Sequence, residues 1–104
     1  MKNMKVWRIK ELMNSQELIS EGRQMSHCVA TYAKSCQTGN CSIWSSSLET
    51  EEGMAKLLTI EVRNSTQAIK QIRGKLNRFA ANNEKLIIRR WASREELAVA
   101  EYLV

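Results

Sequence analysis

Proline and aspartate are both absent from the 104 residues, and glycine occurs only four times. A chain so poor in proline and glycine is not collagen-like, Pro-rich or linker-like. All eleven acids are Glu. The paired-Asp metal chemistry of polymerases and many nucleases therefore lacks its commonest ligand. No apolar run approaches the ~20 residues that cross a bilayer. The first twelve residues alternate charge and bulk, without the unbroken apolar stretch of a secretory signal. With three cysteines, an odd number, this leads us to expect reduced thiols and a cytoplasmic location. A zinc site drawn from His27, Cys28, Cys36 and Cys41 would lack any Cys-x-x-Cys knuckle, so neither a metal nor a cofactor is expected.

What is present suits one small globular domain spanning residues 1–104. Hydrophobic residues make up 43% and charged residues 26%, enough for a modest core. The net charge is +5, and it is unevenly placed. From Arg63 to Arg94 there are nine basic residues and a single acid, Glu84. Such asymmetry favours an anionic partner for the carboxyl-terminal half. The alternative is a solvated basic face.

The periodicities predict an α+β domain with the order β-α-α-β-β-β-α-α. Val6 to Ile9, around Trp7, reads as a short edge strand or an extended lead-in. Asn14 and Glu17 open a short helix over Ser15 to Glu21, stopped by Gly22. Met25, Cys28, Val29, Tyr32, Ala33 and Cys36 share a face of a second helix with Ser26 as its cap. Cys41 to Leu48, Ala55 to Val62 and Ala68 to Arg73 form a three-stranded antiparallel meander packed against helices. An acidic loop, Glu49 to Gly53, separates the first two strands, and Arg63 to Thr66 turns into the third. In the central strand Leu58, Ile60 and Val62 point one way; Leu57, Thr59 and Glu61 point the other. Gly74 to Asn83 is a basic loop. Asn82 or Asn83 then caps a helix that turns Leu86, Ile87 and Trp91 inward. Ser93 and Glu96 form a capping box that starts a last helix, burying Leu97, Ala100 and Leu103.

Several short motifs occur in a particular order. They are Glu21-Gly22 with Met25; His27-Cys28-Val29 with Tyr32; Gly39 with Ser42-Ile43; Leu58-Thr59-Ile60-Glu61-Val62; and Gln71 to Arg78 ahead of Trp91. The set resembles the PcfJ-like proteins of conjugative plasmids, phages and other mobile elements. The resemblance covers most of the chain and implies a mobile-element context. It also implies that this chain corresponds to the shared carboxyl-terminal domain of longer members. It supplies no reaction. Cys36 and Cys41 match none of its motif positions.

Two kinds of site emerge from the residues. Gln71 to Arg78 is the better binding signal. Arg73, Lys75 and Arg78 surround Gly74, where backbone can approach a ligand closely. Lys70, Asn77, Phe79, Arg89 and Arg90 complete the predicted nucleic-acid-binding set. Phe79, the only Phe, either stacks on a base among cations or plugs the core. The second set is His27, Cys28, Tyr32, Glu61 and Gln71, catalytic candidates if they converge on one cleft. Cys28 near a helix start would be a nucleophile or a buried apolar residue. His27, about 100° away around the helix, is badly placed to activate it. The preferred reading is a non-enzymatic module that binds nucleic acid or a nucleoprotein complex. The alternatives are a small enzyme of unknown reaction, or a plasmid or phage protein that binds a host protein. No membrane association is expected.

Overall fold

The computed structural model describes residues 5–25 and 39–99. The chain is α+β. Its elements are β1 (Val6–Glu11), α1 (Ser15–Met25), β2 (Cys41–Thr50), β3 (Gly53–Arg63), β4 (Ala68–Arg73), a 3-10 turn (Lys75–Asn77), α2 (Asn82–Arg94) and β5 (Ala98–Val99). The strands form one sheet in chain order. The predicted meander is its centre, β2-β3-β4, and β1 pairs antiparallel with β2 as the edge strand. The predicted helix after Ser26 lies outside the described residues.

Two bulges set which side chains share a face. Between β2 and β3 the pairs Ser46–Leu58 and Ser47–Lys56 leave Leu57 as an extra residue. Between β3 and β4 the pairs Glu61–Gln71 and Val62–Ile69 leave Lys70 extra. Strict alternation would put Ile69 and Ile72 on opposite faces, yet both enter one core cluster with Leu58, Ile60 and Val62. The bulge at Lys70 allows this. The bulge at Leu57 likewise corrects the predicted alternation: Leu57 packs with that same cluster, not with Thr59 and Glu61.

Helix α2 covers this apolar face with Ile88, Trp91 and Ala92. Trp91 meets Trp44 edge to face at 5.2 Å between ring centroids, an arrangement favoured by the ring quadrupoles. The other face carries Cys41 and Ile43 beneath Leu12 and Leu18. There α1 continues to Met25, past the predicted stop at Gly22, because Leu18, Glu21 and Met25 are all buried. That burial outweighs the ~1 kcal/mol penalty of a glycine in a helix.

Four further expectations are corrected. The acidic loop contracts to Glu51-Glu52, since Thr50 already pairs with Gly53, whose φ of 124° favours glycine. Helix α2 starts after Ala81 instead of an Asn cap, and Glu84 accepts the Ala81 N–H at 2.8 Å. Its inward stripe is Glu84, Ile88, Trp91 and Ala92, while Leu86 faces solvent and Ile87 is half-buried. Finally, Ser93 and Glu96 end a helix instead of starting one. Leu97 donates to the Ala92 carbonyl and Glu96 to that of Ser93. With Glu96 at φ 58° this is a Schellman closure. It aims Leu97 at the core and sends β5 parallel to β4. Ala100 and Leu103 lie outside the described residues.

Candidate nucleic-acid interface

The basic loop is shaped by one arginine. The Gly74 N–H donates to the Arg78 carbonyl at 2.7 Å, and Arg78 N–H donates to Lys75 at 3.2 Å. A Cβ on Gly74 would lie 2.6 Å from Arg78 Cγ and 2.7 Å from its Cζ and Nε. The close approach expected at Gly74 is therefore made by Arg78, whose side chain lies across it. From there the guanidinium reaches Glu84 with both terminal nitrogens, at 2.8 and 2.9 Å. It also donates to the carbonyls of Phe79 and Leu57, at 3.1 and 3.3 Å. This is the fork geometry in which arginine binds a carboxylate best.

The pair fixes the protonation of both groups. Burial alone would raise the Glu84 carboxyl, but the Arg78 and Ala81 hydrogen bonds and the guanidinium charge outweigh it. They hold Glu84 below the usual carboxylate range. In turn the Glu84 hydrogen bond, partly offset by burial, makes Arg78 hold its proton more tightly. Arg78 thus ties the loop to the first turn of α2. The only acid of the basic stretch is consumed there.

With Arg78 engaged, the remaining cations define a groove along β4. Among the described residues β5 pairs with β4 at Ala68 and Ile69, and the groove lies farther along the strand, from Lys70 to Arg73. A concavity of about 520 Å³ opens there, lined by Lys70, Gln71, Ile72, Arg73, Phe79, Ala80 and Lys85. Ile72 and Ala80 give it an apolar floor, with Lys70, Arg73 and Lys85 at its rim. The Arg73 guanidinium carbon sits 4.8 Å from the Phe79 ring centroid, within cation–π range. Phe79 is 75% exposed, so it does not plug the core. A second concavity of about 350 Å³, lined by Asn40, Cys41, Glu61, Arg63, Ser65 and Lys70, shares Lys70 with the first. The bulge at Lys70 puts its side chain where the two meet, and it lies 3.8 Å from Glu61.

The other predicted binding residues are placed differently. Lys75, Arg89 and Arg90 are exposed but line neither concavity. Of Asn77 only the backbone is described. Sequence reasoning missed Lys85 and Arg63 as groove residues, although both belong to the basic stretch.

Of the catalytic candidates, His27, Cys28 and Tyr32 lie outside the described residues. Glu61 and Gln71 are brought together as cross-strand partners. Sequence reasoning also missed an acid on the sheet face beneath α1. Glu21 is fully buried and accepts hydrogen bonds from Ser45 Oγ at 3.0 Å, Lys56 Nζ at 2.8 Å and Thr59 Oγ1 at 2.5 Å. The available signal was its helical phase: Leu18 and Met25, three residues before and four after, place Glu21 on the apolar stripe. Among the described residues no group of three or more His, Cys, Asp or Glu is arranged to hold a metal ion. No described helix is long and apolar enough to cross a membrane.

No curated protein and no solved structure matches this chain. The model of the PcfJ-like protein family matches residues 4–88. That span runs from β1 through the Glu21 network, the meander and the groove into α2, and the chain belongs to the PcfJ-like protein family.

Proposed function

We propose that this domain binds nucleic acid, free or within a nucleoprotein complex, through the groove along β4. The observation that carries the reading is the gathering of Lys70, Arg73 and Lys85 around the exposed ring of Phe79, with Arg63 continuing the positive track past Lys70. Cations at a rim above an apolar floor suit a ligand that carries both phosphates and bases. The mobile-element context that the family resemblance implies, and the cytoplasmic location expected from the cysteines, are consistent with such a partner.

The test is a titration at several salt concentrations. Affinity falls steeply with log salt as counterions leave the phosphates, and changing Lys70, Arg73 and Lys85 to Ala lowers the slope by about two. No binding even at low ionic strength would overturn the reading.

One observation favours a second reading, a small enzyme. Glu61 is 7% exposed, lines the smaller concavity and faces Gln71 across the strands. It lies on the same sheet face as the Glu21 network. That reading requires Cys28 to be a reactive thiol. Alkylation of Cys28 only after denaturation would remove it as the nucleophile.

A further inference from the structure

We infer that the groove is selective for single-stranded nucleic acid, with Phe79 as the platform on which one unpaired base stacks. The inference rests on the reading of the groove as a nucleic-acid interface and specifies which form enters it.

An exposed phenylalanine is held here at both its backbone and its ring. Its carbonyl accepts from Arg78, whose guanidinium is clamped to Glu84. Its ring has Arg73 over one face at 4.8 Å, yet 75% of the residue stays exposed. The ring is therefore positioned while its other face remains open. Restricting an exposed aromatic side chain has an entropic penalty, which a contact with a partner offsets. The half-buried Ala80 extends the apolar surface beside it. A volume of about 520 Å³ exceeds what phosphate contacts alone require and falls in the range that encloses small organic groups.

Duplex and single strand differ in what they offer this surface. A duplex presents phosphates outward and keeps its base faces stacked within. It satisfies Lys70, Arg73 and Lys85 but leaves the ring in water. A single strand supplies phosphates to the rim and a base face to the ring together. Stacking on an aromatic ring is tolerant of base identity, so little sequence preference is expected.

The experiment is fluorescence anisotropy of labelled oligothymidylate, oligouridylate and a duplex of equal length, under identical salt, with the wild type, Phe79→Leu and Phe79→Trp. Residue 79 lies mostly in solvent, so both variants retain the fold. We expect the single strands to bind tighter than the duplex. Phe79→Leu should weaken single-strand binding about tenfold with its salt slope unchanged. Duplex affinity should not move, and Phe79→Trp should bind single strands at least as well as wild type. Equal affinity for all three probes, or indifference of single-strand binding to Phe79→Leu, overturns the inference and leaves the electrostatic reading standing. Failure of every probe to bind at low salt overturns both.

Discussion

Arg78 illustrates how a residue's role follows from its neighbours. Its guanidinium belongs to the densest basic segment of the chain, yet it is bonded to both oxygens of Glu84 and to the carbonyls of Phe79 and Leu57. Gly74 has an unremarkable φ of −93°, so its lack of a Cβ matters only because Arg78 lies across it. Gly74→Ala should therefore cost about 2 kcal/mol by overpacking. In an Arg78→Ala background the same change should cost almost nothing. A double-mutant cycle read by urea denaturation measures that coupling; equal costs in both backgrounds would refute the packing argument. The Glu84 carboxyl adds a pH signature. Its pKa is lowered on folding, so its contribution is complete above the unfolded value. That contribution disappears as pH falls through the folded value, below the ordinary Glu range near ~4.3. Unfolding midpoints compared at neutral and strongly acidic pH should converge for wild type and Glu84→Gln as the medium is acidified.

At the scale of elements, α1 is held to the sheet by polar contacts as well as apolar ones. Glu21 has no exposure, whereas the Lys56 side chain retains 26%. Losing either partner is not symmetrical. Lys56→Met leaves the buried Glu21 carboxylate without its cation and should cost about 3 kcal/mol. Glu21→Gln keeps hydrogen-bonding partners for Ser45 and Thr59 while Lys56 extends to water, so it should cost about 1 kcal/mol. Chemical denaturation of the two variants checks the order. At the other end of the fold, Glu96 occupies a left-handed conformation that ends α2. Glu96→Gly should raise stability by about 1 kcal/mol, seen as a higher melting temperature.

These elements also show what a linear sequence conveys. Strand β3 was legible because Leu58, Ile60 and Val62 alternate cleanly, and Ala68 to Arg73 was legible as its return. The bulges at Leu57 and Lys70 were not, since each is a matter of pairing between strands. The phase of α2 was misread because its inward stripe includes Glu84, whose burial depends on Arg78 from another segment. Counting apolar residues favoured Leu86 instead. The stop at Glu96 was invisible for a similar reason: glutamate is ordinary within helices, and only the Schellman bonds reveal its position. The basic stretch announced a charged surface, but not that Lys85 joins it while Arg78 is withdrawn.

For the whole molecule, what matters is where the charge sits. Two unlike surfaces lie along different strands of the sheet. Beneath α1, the cations Arg8, Lys10 and Lys56 are each matched by a glutamate: Glu49, Glu17 and Glu21. Along β4, Arg73 and Lys85 rim an aromatic groove, and Lys70 is paired more loosely, 3.8 Å from Glu61. Net charge alone would attract a polyanion to either surface; a built site would depend on the second only. Two charge-matched triple variants separate these cases. One changes Lys70, Arg73 and Lys85 to Ala, and the other changes Lys5, Arg8 and Lys10. The slope of log affinity against log salt should fall by about two for the first and stay near wild type for the second. Equal losses in both, or no loss in the first, would contradict the assignment of the groove as the binding surface.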